Sequence, residues 1–403
     1  MALTKLNTLS LADDAITSAK IADDAITSAL IADNAVVTAA IADDAVTSAK
    51  TTVSGANPNI LINGSMKIGQ RDALTGQSGT NGAYGGVDRW FNDIRNVGTY
   101  SVSQSTSVAP EGFSHSLEVK CTTADASLDA NSYGHLTYKL EGQDIQVFKK
   151  GTSSAIPFAL SFWVRSSKTG TYAARLRDNT NARYISRNYT ISSANTWEYK
   201  TIIFPADTTG AIANNTSSGM SLYFYYAMGT DYTSGSAESA WGAAASSTLA
   251  PGQVNLSDTV NATFYLTGVK LEAASACTAY EHPDYTTELK KCFRYYQKIT
   301  HTAGFSALGV AASTTAAYFD LYYEPKRSNP SFVLPTATLA ANGVVPLTAN
   351  GSYPSDTAGT LAATKIGKTS CRLDAESFGG LTDDGPCWLY WVAENSIEIS
   401  AEL

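Results

Sequence analysis

The sequence predicts a mainly β protein with a repetitive N-terminal stalk, a jelly-roll-like β-sandwich, one short helix and a smaller C-terminal β domain. Three observations carry that reading. Charged residues are 16% of the 403 positions, below the roughly 25% of an ordinary soluble domain, so Ser, Thr, Asn and Gly supply the surface polarity, as in β-rich chains. From about residue 57 onward, short runs of β-favouring residues alternate with Gly/Asn/Asp/Ser clusters. Ahead of them, a decapeptide recurs four times from Leu11, and fixed-period repetition outranks other local signals.

The repeats LADDAITSAK, IADDAITSAL, IADNAVVTAA and IADDAVTSAK space Leu11, Ile16, Ile21, Ile26, Ile31, Val36, Ile41 and Val46 five residues apart. On an α-helix a step of five turns the side chain by about 140°, so these residues would spiral over every face and form no stripe. On a straight strand an odd step changes face each time. A lone chain therefore has no means of burying them. The reading that remains is a two-part unit per repeat, turning at Asp13-Asp14 and its copies, in which several chains wrap around an axis and share their Ile/Val positions. Asp14, Asp24 and Asp44, or Thr17 and Ser18, suit the capping and Asx-turn roles of such a unit. A calcium ladder on the repeated acids is disfavoured, because Asp-Asp offers too few of the ~6–8 oxygens calcium takes.

In the body, residues 161–165, 172–177, Glu198–Phe204, 221–226 and 263–272 read as strands, with Lys168-Thr169-Gly170, Asp178-Asn179 and Asp207-Thr208-Thr209-Gly210 as turns. Their spacing fits a jelly-roll-like sandwich. Residues 286–298 (TTELKKCFRYYQK) place Leu289, Cys292 or Phe293, and Tyr296 at helical spacing, with Thr286 and Glu288 in front and Lys298 behind. Beyond this helix, residues 317–323, 331–334 and 388–392 again read as strands between proline-punctuated loops.

Whole-chain properties exclude several functions. With 28 basic and 36 acidic residues the net charge is −8, which argues against phosphate-neutralising nucleic-acid binding. No run approaches the ~18 apolar residues of a membrane span, and MALTKLNTLSLADD lacks a signal-peptide core, so a soluble chain without membrane insertion is expected. The Asn-x-Ser/Thr triplets at Asn63, Asn188, Asn214 and Asn261 then read as chance. Cys121, Cys277, Cys292, Cys371 and Cys387 are scattered, which predicts buried free thiols rather than a disulfide framework or a zinc site.

Residues 57–71 (NPNILINGSMKIGQR), Val87-Asp88-Arg89-Trp90, 140–145 (LEGQDI), 161–172 (SFWVRSSKTGTY) and 264–298 (FYLTGVKLEAASACTAYEHPDYTTELKKCFRYYQK) resemble the receptor-binding fibre and minor structural proteins of tailed bacteriophages. The ADDAITSAKI repeats belong to the same picture, and the resemblance covers nearly all of the chain. It implies a homotrimeric fibre of the virion, made in the host cytoplasm, whose N-terminus docks to other virion proteins. It also implies a carbohydrate-binding-module-like sandwich whose partner is host-surface polysaccharide or lipopolysaccharide. The chain then divides into a stalk and attachment segment (1–56), the sandwich (57–284), a helical connector (285–300) and a C-terminal β domain (301–403).

Sugars stack their C–H faces on aromatic rings while amides and carboxylates take their hydroxyls. Two aromatic clusters are candidates: Tyr223, Tyr225, Tyr226, Tyr232 and Trp241, and Trp388, Tyr390 and Trp391. Alternating aromatics on a strand commonly fill a core, so the choice within each cluster rests on adjoining Gly-rich or acidic loops. That choice favours Tyr225 with Trp241, and Tyr232, in the first domain, and Trp388 with Tyr390 in the second. No catalytic set, metal site or cofactor is indicated. Glycoside hydrolysis needs two carboxylates about 5–9.5 Å apart, and Asp383-Asp384-Gly385 reads as a turn. His115, His135, His282 and His301 are dispersed, with His282 read as a packing or capping residue. Gly82–Gly86 (GAYGG) reads as a flexible turn, and the Val87–Trp90 stretch as an ion pair near a buried indole. The function expected is adsorption by binding glycan without cleaving it. The alternative is a head-fibre or tail-adaptor component that binds no receptor.

The repeats generate a direct test. Deleting residues 11–50 is expected to shorten the particle and weaken assembly while the β domains stay folded. Sedimentation of the truncated chain reads this, and an undiminished trimer would place the assembly contacts in the C-terminal domains.

Overall fold

A computed structural model describes residues 58–301, 306–334, 344–346, 360–377, 381, 383–390 and 395–403; the stalk positions Leu11, Ile16, Ile21, Ile26, Ile31, Val36, Ile41 and Val46, and Trp391, lie outside them. Among the described residues, thirteen strands precede the long helix: β1 (Leu74–Gln77), β2 (Thr80–Tyr84), β3 (Trp90–Arg95), β4 (Thr99–Ser105), β5 (Ser116–Thr123), β6 (Tyr133–Glu141), β7 (Phe158–Ser166), β8 (Gly170–Asp178), β9 (Arg183–Ile191), β10 (Glu198–Phe204), β11 (Ser218–Met228), β12 (Gly242–Ala243) and β13 (Thr263–Ala273). They form two antiparallel sheets, β1-β4-β5-β13-β7-β10 and β12-β9-β8-β11-β6-β3-β2. A short helix α1 (Thr230–Thr233) lies in the connection from β11 to β12. The chain passes repeatedly between the sheets, giving the jelly-roll-like sandwich that the strand spacing predicts.

Side-chain alternation explains why the sheets face each other. In β6, Leu136, Tyr138 and Leu140 are buried in the core; in β11, Leu222, Phe224 and Tyr226; in β7, Leu160, Phe162 and Val164. The rings interlock across the interface: Phe162 lies edge-on to Phe224 at 4.9 Å, and Tyr100 meets Tyr226 at 5.1 Å. Each such buried side chain contributes roughly 1.5–3 kcal/mol over its exposed state. Tyr226 is fully buried, and its hydroxyl donates to Asn92 Oδ1 at 2.7 Å, so this member of the tyrosine cluster belongs to the core.

The helix α2 spans Tyr285–Phe293, shorter than the predicted 286–298. Its cap is Asp284, whose carboxylate accepts from the Thr287 amide at 3.0 Å, in place of Thr286. It ends early because the next residues have other partners. Tyr296 begins β14 (Tyr296–His301), which pairs with the strand near the chain's end. The Tyr295 and Tyr296 rings lie 3.4 Å beneath the Arg89 and Arg71 guanidiniums, respectively.

The remaining strands are β15 (Ser306–Ala311), β16 (Ala316–Tyr322), β17 (Ser331–Val333), β18 (Val344–Pro346), β19 (Thr360–Thr364), β20 (Ser370–Glu376), β21 (Pro386–Tyr390) and β22 (Asn395–Ser400). They build a three-stranded sheet, β14-β22-β17, and a six-stranded sheet, β18-β21-β15-β16-β20-β19, around a second core that includes Phe319, Leu373, Leu389 and Ile399. Asp383 and Asp384 lie in a turn as expected, with Asp384 in the left-handed region at φ 57°. Residues 82–84 are not a loose turn: they belong to β2, with Gly82 opposite Asp93 on β3. All five cysteines are free thiols.

Buried ion pairs join the sandwich to the strands that follow it. Glu141 accepts a two-pronged contact from Arg294 at 2.9 and 2.8 Å. Arg89, 1% exposed, pairs with Glu402 and donates to the Lys139 carbonyl at 2.7 Å. The Val87–Trp90 stretch thus does hold an ion pair beside a buried indole, but the partner of Arg89 is Glu402. Neighbouring Asp88 accepts from Gln70, and its carboxyl is raised to about 6 because burial outweighs that contact. Removing one member of such a pair strands the other: Glu402→Ala is expected to destabilise the fold by about 3–5 kcal/mol, read as a lowered urea midpoint.

Candidate functional site

The faces of β3, β6, β8 and β11 that turn away from the core form a cleft of about 290 Å³, at the small end of ligand sites. Alternation and register build it. Phe91 on β3, Thr137 on β6, Tyr223 on β11 and Arg175 on β8 follow one another across the sheet. A second row runs from Asp93 through His135 to Tyr225. A third includes Lys139, Ser221 and Arg177. Tyr133, Met228, Tyr232 from α1 and Leu249 close one end.

The cleft is ring-lined and charged. Tyr223 and Tyr225 are nearly parallel with centroids 6.1 Å apart, and His135 lies against both, at 5.2 and 5.6 Å. His135 also stacks on Tyr133 at 5.3 Å and meets the Thr137 hydroxyl at 2.9 Å. Burial, reinforced by the Arg175 charge, drives its pKa down to about 3, so at neutral pH it is an uncharged imidazole despite Asp93 at 3.8 Å. Asp93 is raised from the ordinary carboxylate value by burial, against the pull of Lys139. Lys139 is lowered by burial, against Glu402 and Asp93; its ammonium donates to the Leu403 carbonyl at 2.6 Å and lies 5.2 Å over Phe91. Such a surface offers faces for sugar C–H groups, and guanidinium, ammonium, carboxylate and phenol for hydroxyls.

The structure sorts the predicted site residues. Tyr225 and Tyr232 line the cleft, together with Tyr223. Trp241 does not join them: it is 8% exposed, packs 5.5 Å from Phe158, and donates its indole N–H to the Pro205 carbonyl at 2.8 Å. The pairing of Tyr225 with Trp241 is therefore corrected, because this tryptophan closes the core beside β12. Trp388 and Tyr390 lie on β21, opposite Leu308 and Ser306 of β15; their side chains fall outside the described residues. His282 packs against Phe113 and Tyr280 at 4.8 and 5.1 Å. Sequence reasoning missed Phe91, Asp93, Tyr133, His135, Arg175 and Arg177. The last two carried a signal: in YAARLRD, Tyr172, Ala174 and Leu176 share one face and Ala173, Arg175 and Arg177 the other. Among the described residues no group of three or more His, Cys, Asp or Glu could hold a metal ion, and no helix is long and apolar enough to cross a membrane.

No protein-family model and no curated protein matches the sequence. Among solved structures, 53% of the chain is similar to part of the enzymatically active domain of tailspike protein 4 of bacteriophage CBA120, at 12% identity and a TM-score of 0.27; the match spans 21% of the tailspike chain. The family 11 carbohydrate-binding module of a Clostridium thermocellum cellulosomal cellulase is matched over 100% of its length by 52% of this chain, at 14% identity and a TM-score of 0.25. A family 30 carbohydrate-binding module from another cellulosomal cellulase of that organism is matched over 95% of its length by 51% of this chain, at 11% identity and a TM-score of 0.24.

The neutral imidazole sets an acid limit on stability. His135 titrates near 3 when folded and near the ordinary ~6.5 when unfolded. Between those values the unfolded chain takes a proton that the folded chain refuses, so stability falls as pH drops from about 6.5 towards 3. Urea unfolding at pH 7 and pH 5 is expected to show the native chain losing about 2 kcal/mol more than His135→Gln over that interval.

Proposed function

We propose that this chain is a homotrimeric bacteriophage fibre protein of the virion that adsorbs to host cells by holding surface polysaccharide or lipopolysaccharide in the sandwich cleft without cleaving it. The observation that carries the reading is the row of rings on the outward face of β6 and β11. Tyr133, His135, Tyr223 and Tyr225 lie together in a recess ringed by hydrogen-bonding groups. Asp93 is the one carboxylate among the described residues of the lining, whereas hydrolysis by paired acids takes two. Single-site affinity for a neutral sugar segment is weak, of order millimolar, and three copies per fibre raise it by avidity. The five-residue spacing of the Ile/Val positions supports the multimeric stalk, and the N-terminal segment is the part assigned to particle attachment.

A second reading, a head-fibre or tail-adaptor component without receptor binding, draws on a different observation. Leu308, Tyr322 and Val333 in the C-terminal sheets are 70%, 73% and 62% exposed, the highest values among the exposed large apolar side chains of the described residues, and exposed apolar surface is what a protein partner would cover.

Glycan arrays probed with the full-length chain, and competition for host-cell adsorption, separate the two. The first reading predicts saturable binding that Tyr223→Ala weakens about three- to tenfold, while Tyr199→Ala, on the opposite sheet, leaves it unchanged. Release of reducing ends from bound polysaccharide would overturn the non-cleaving part. A chain that binds no cell yet stays on the particle supports the adaptor.

A further inference from the structure

We infer that the cleft is built for an acidic saccharide, with the anionic group of a sugar seated on the guanidiniums of Arg175 and Arg177. This rests on the glycan-binding reading above and narrows it. Both arginines come from the outward face of β8, two residues apart, and both line the recess. Arg175 is 6% exposed. Its one hydrogen bond among the described residues goes to the Tyr225 hydroxyl at 3.2 Å, and its guanidinium lies 4.0 Å over the Tyr184 ring. Arg177 leans on the same ring at 5.4 Å. Among the described residues no carboxylate lies within ion-pair distance of either, and the Nε atom of each is buried without a hydrogen-bond partner.

Among the described residues, the other buried cations differ in having a carboxylate or carbonyl partner for their charge, although the Nε atoms of Arg89 and Arg327 are likewise without a hydrogen bond. Arg89 has Glu402, Lys150 has Asp178 and Asp207 at 2.6 and 3.0 Å, and Lys270 has Glu272 at 3.4 Å. Lys326, which has no acid, donates to the Phe293 carbonyl and the Gln297 amide oxygen at 2.6 and 2.9 Å. A buried charge without a counter-ion is unfavourable, and Arg175 carries that penalty at the wall of a cavity. The carboxylate of the lining, Asp93, is on β3, separated from β8 by β6 and β11. The neutral His135 beside it supplies no competing cation. A planar guanidinium fork matches the paired oxygens of a carboxylate or phosphate. The neighbouring Tyr223 and Tyr225 rings would take the sugar ring that carries the anion.

The test uses the full-length chain and immobilised polysaccharides in three sets: uronate-containing (alginate, polygalacturonate, hyaluronan), phosphate-containing (phosphomannan) and neutral (dextran, laminarin, mannan). The inference expects binding to acidic members, carried by the uronate or the phosphate set according to which anion fits. Binding should weaken with salt and disappear after carboxyl reduction or dephosphorylation of the bound polymer. The Arg175→Gln/Arg177→Gln double variant should lose about tenfold or more for the acidic polymer, and Arg177→Gln alone, at the less buried position, should lose part of it. Arg165→Gln, on the other sheet, should behave as the native chain. Equal binding to neutral polymers, unchanged by carboxyl reduction and by the arginine variants, overturns the inference and leaves glycan binding standing. Binding to no polymer in any set overturns both.

Discussion

The two-residue alternation of β3, β6, β8 and β11 is the constraint on which the rest of this molecule depends. Each of these strands serves two environments at once. Leu136, Tyr138, Leu176, Leu222 and Phe224 fill the space between the sheets, and the residues between them, His135, Thr137, Arg175, Arg177 and Tyr223, are thereby committed to the outer face. A slip of one residue in any pairing would exchange the two sets. It would bury guanidiniums in the core and expose the aromatic rings, so the packing energy of the sandwich also fixes the geometry of the cleft.

A second theme is the handling of charge in low-dielectric surroundings. Where the fold needs charge to hold parts together, it supplies both signs: Arg294 with Glu141, Arg89 with Glu402, Lys150 with Asp178 and Asp207. Such pairs are weak sources of net stability but strong determinants of which surfaces meet. The first two lie where the sandwich meets α2 and the last residues, and the Lys150 cluster ties loops within the sandwich. The cleft is treated differently, with arginines lacking acids and a histidine held neutral, and that contrast sets it apart from the charge pairs that hold the fold together.

Much of the architecture was legible in the residues. Glu198–Phe204 is a strand with the bounds its composition suggests, and residues 161–165, 172–177 and 263–272 lie inside longer strands, because β-branched and aromatic runs between turn residues carry that information locally. The end of α2 was not legible. Tyr296 keeps helical spacing from Leu289, but its ladder with β22 and its ring under Arg71 are decided by residues about one hundred and more than two hundred positions away, respectively. The site was half legible for the same reason. Tyr225 and Tyr232 announce themselves as aromatics near turns, whereas Trp241 looks identical in sequence and owes its burial to Phe158 and Pro205. Phe91 and His135 enter the cleft through strand pairing, which no local pattern reveals.

Lys139 occupies two places at once. Its ammonium lies over the Phe91 ring at the cleft wall and also donates to the Leu403 carbonyl, beside the tail residue Glu402 that neutralises Arg89. One side chain thereby joins the wall of the recess to residue 403.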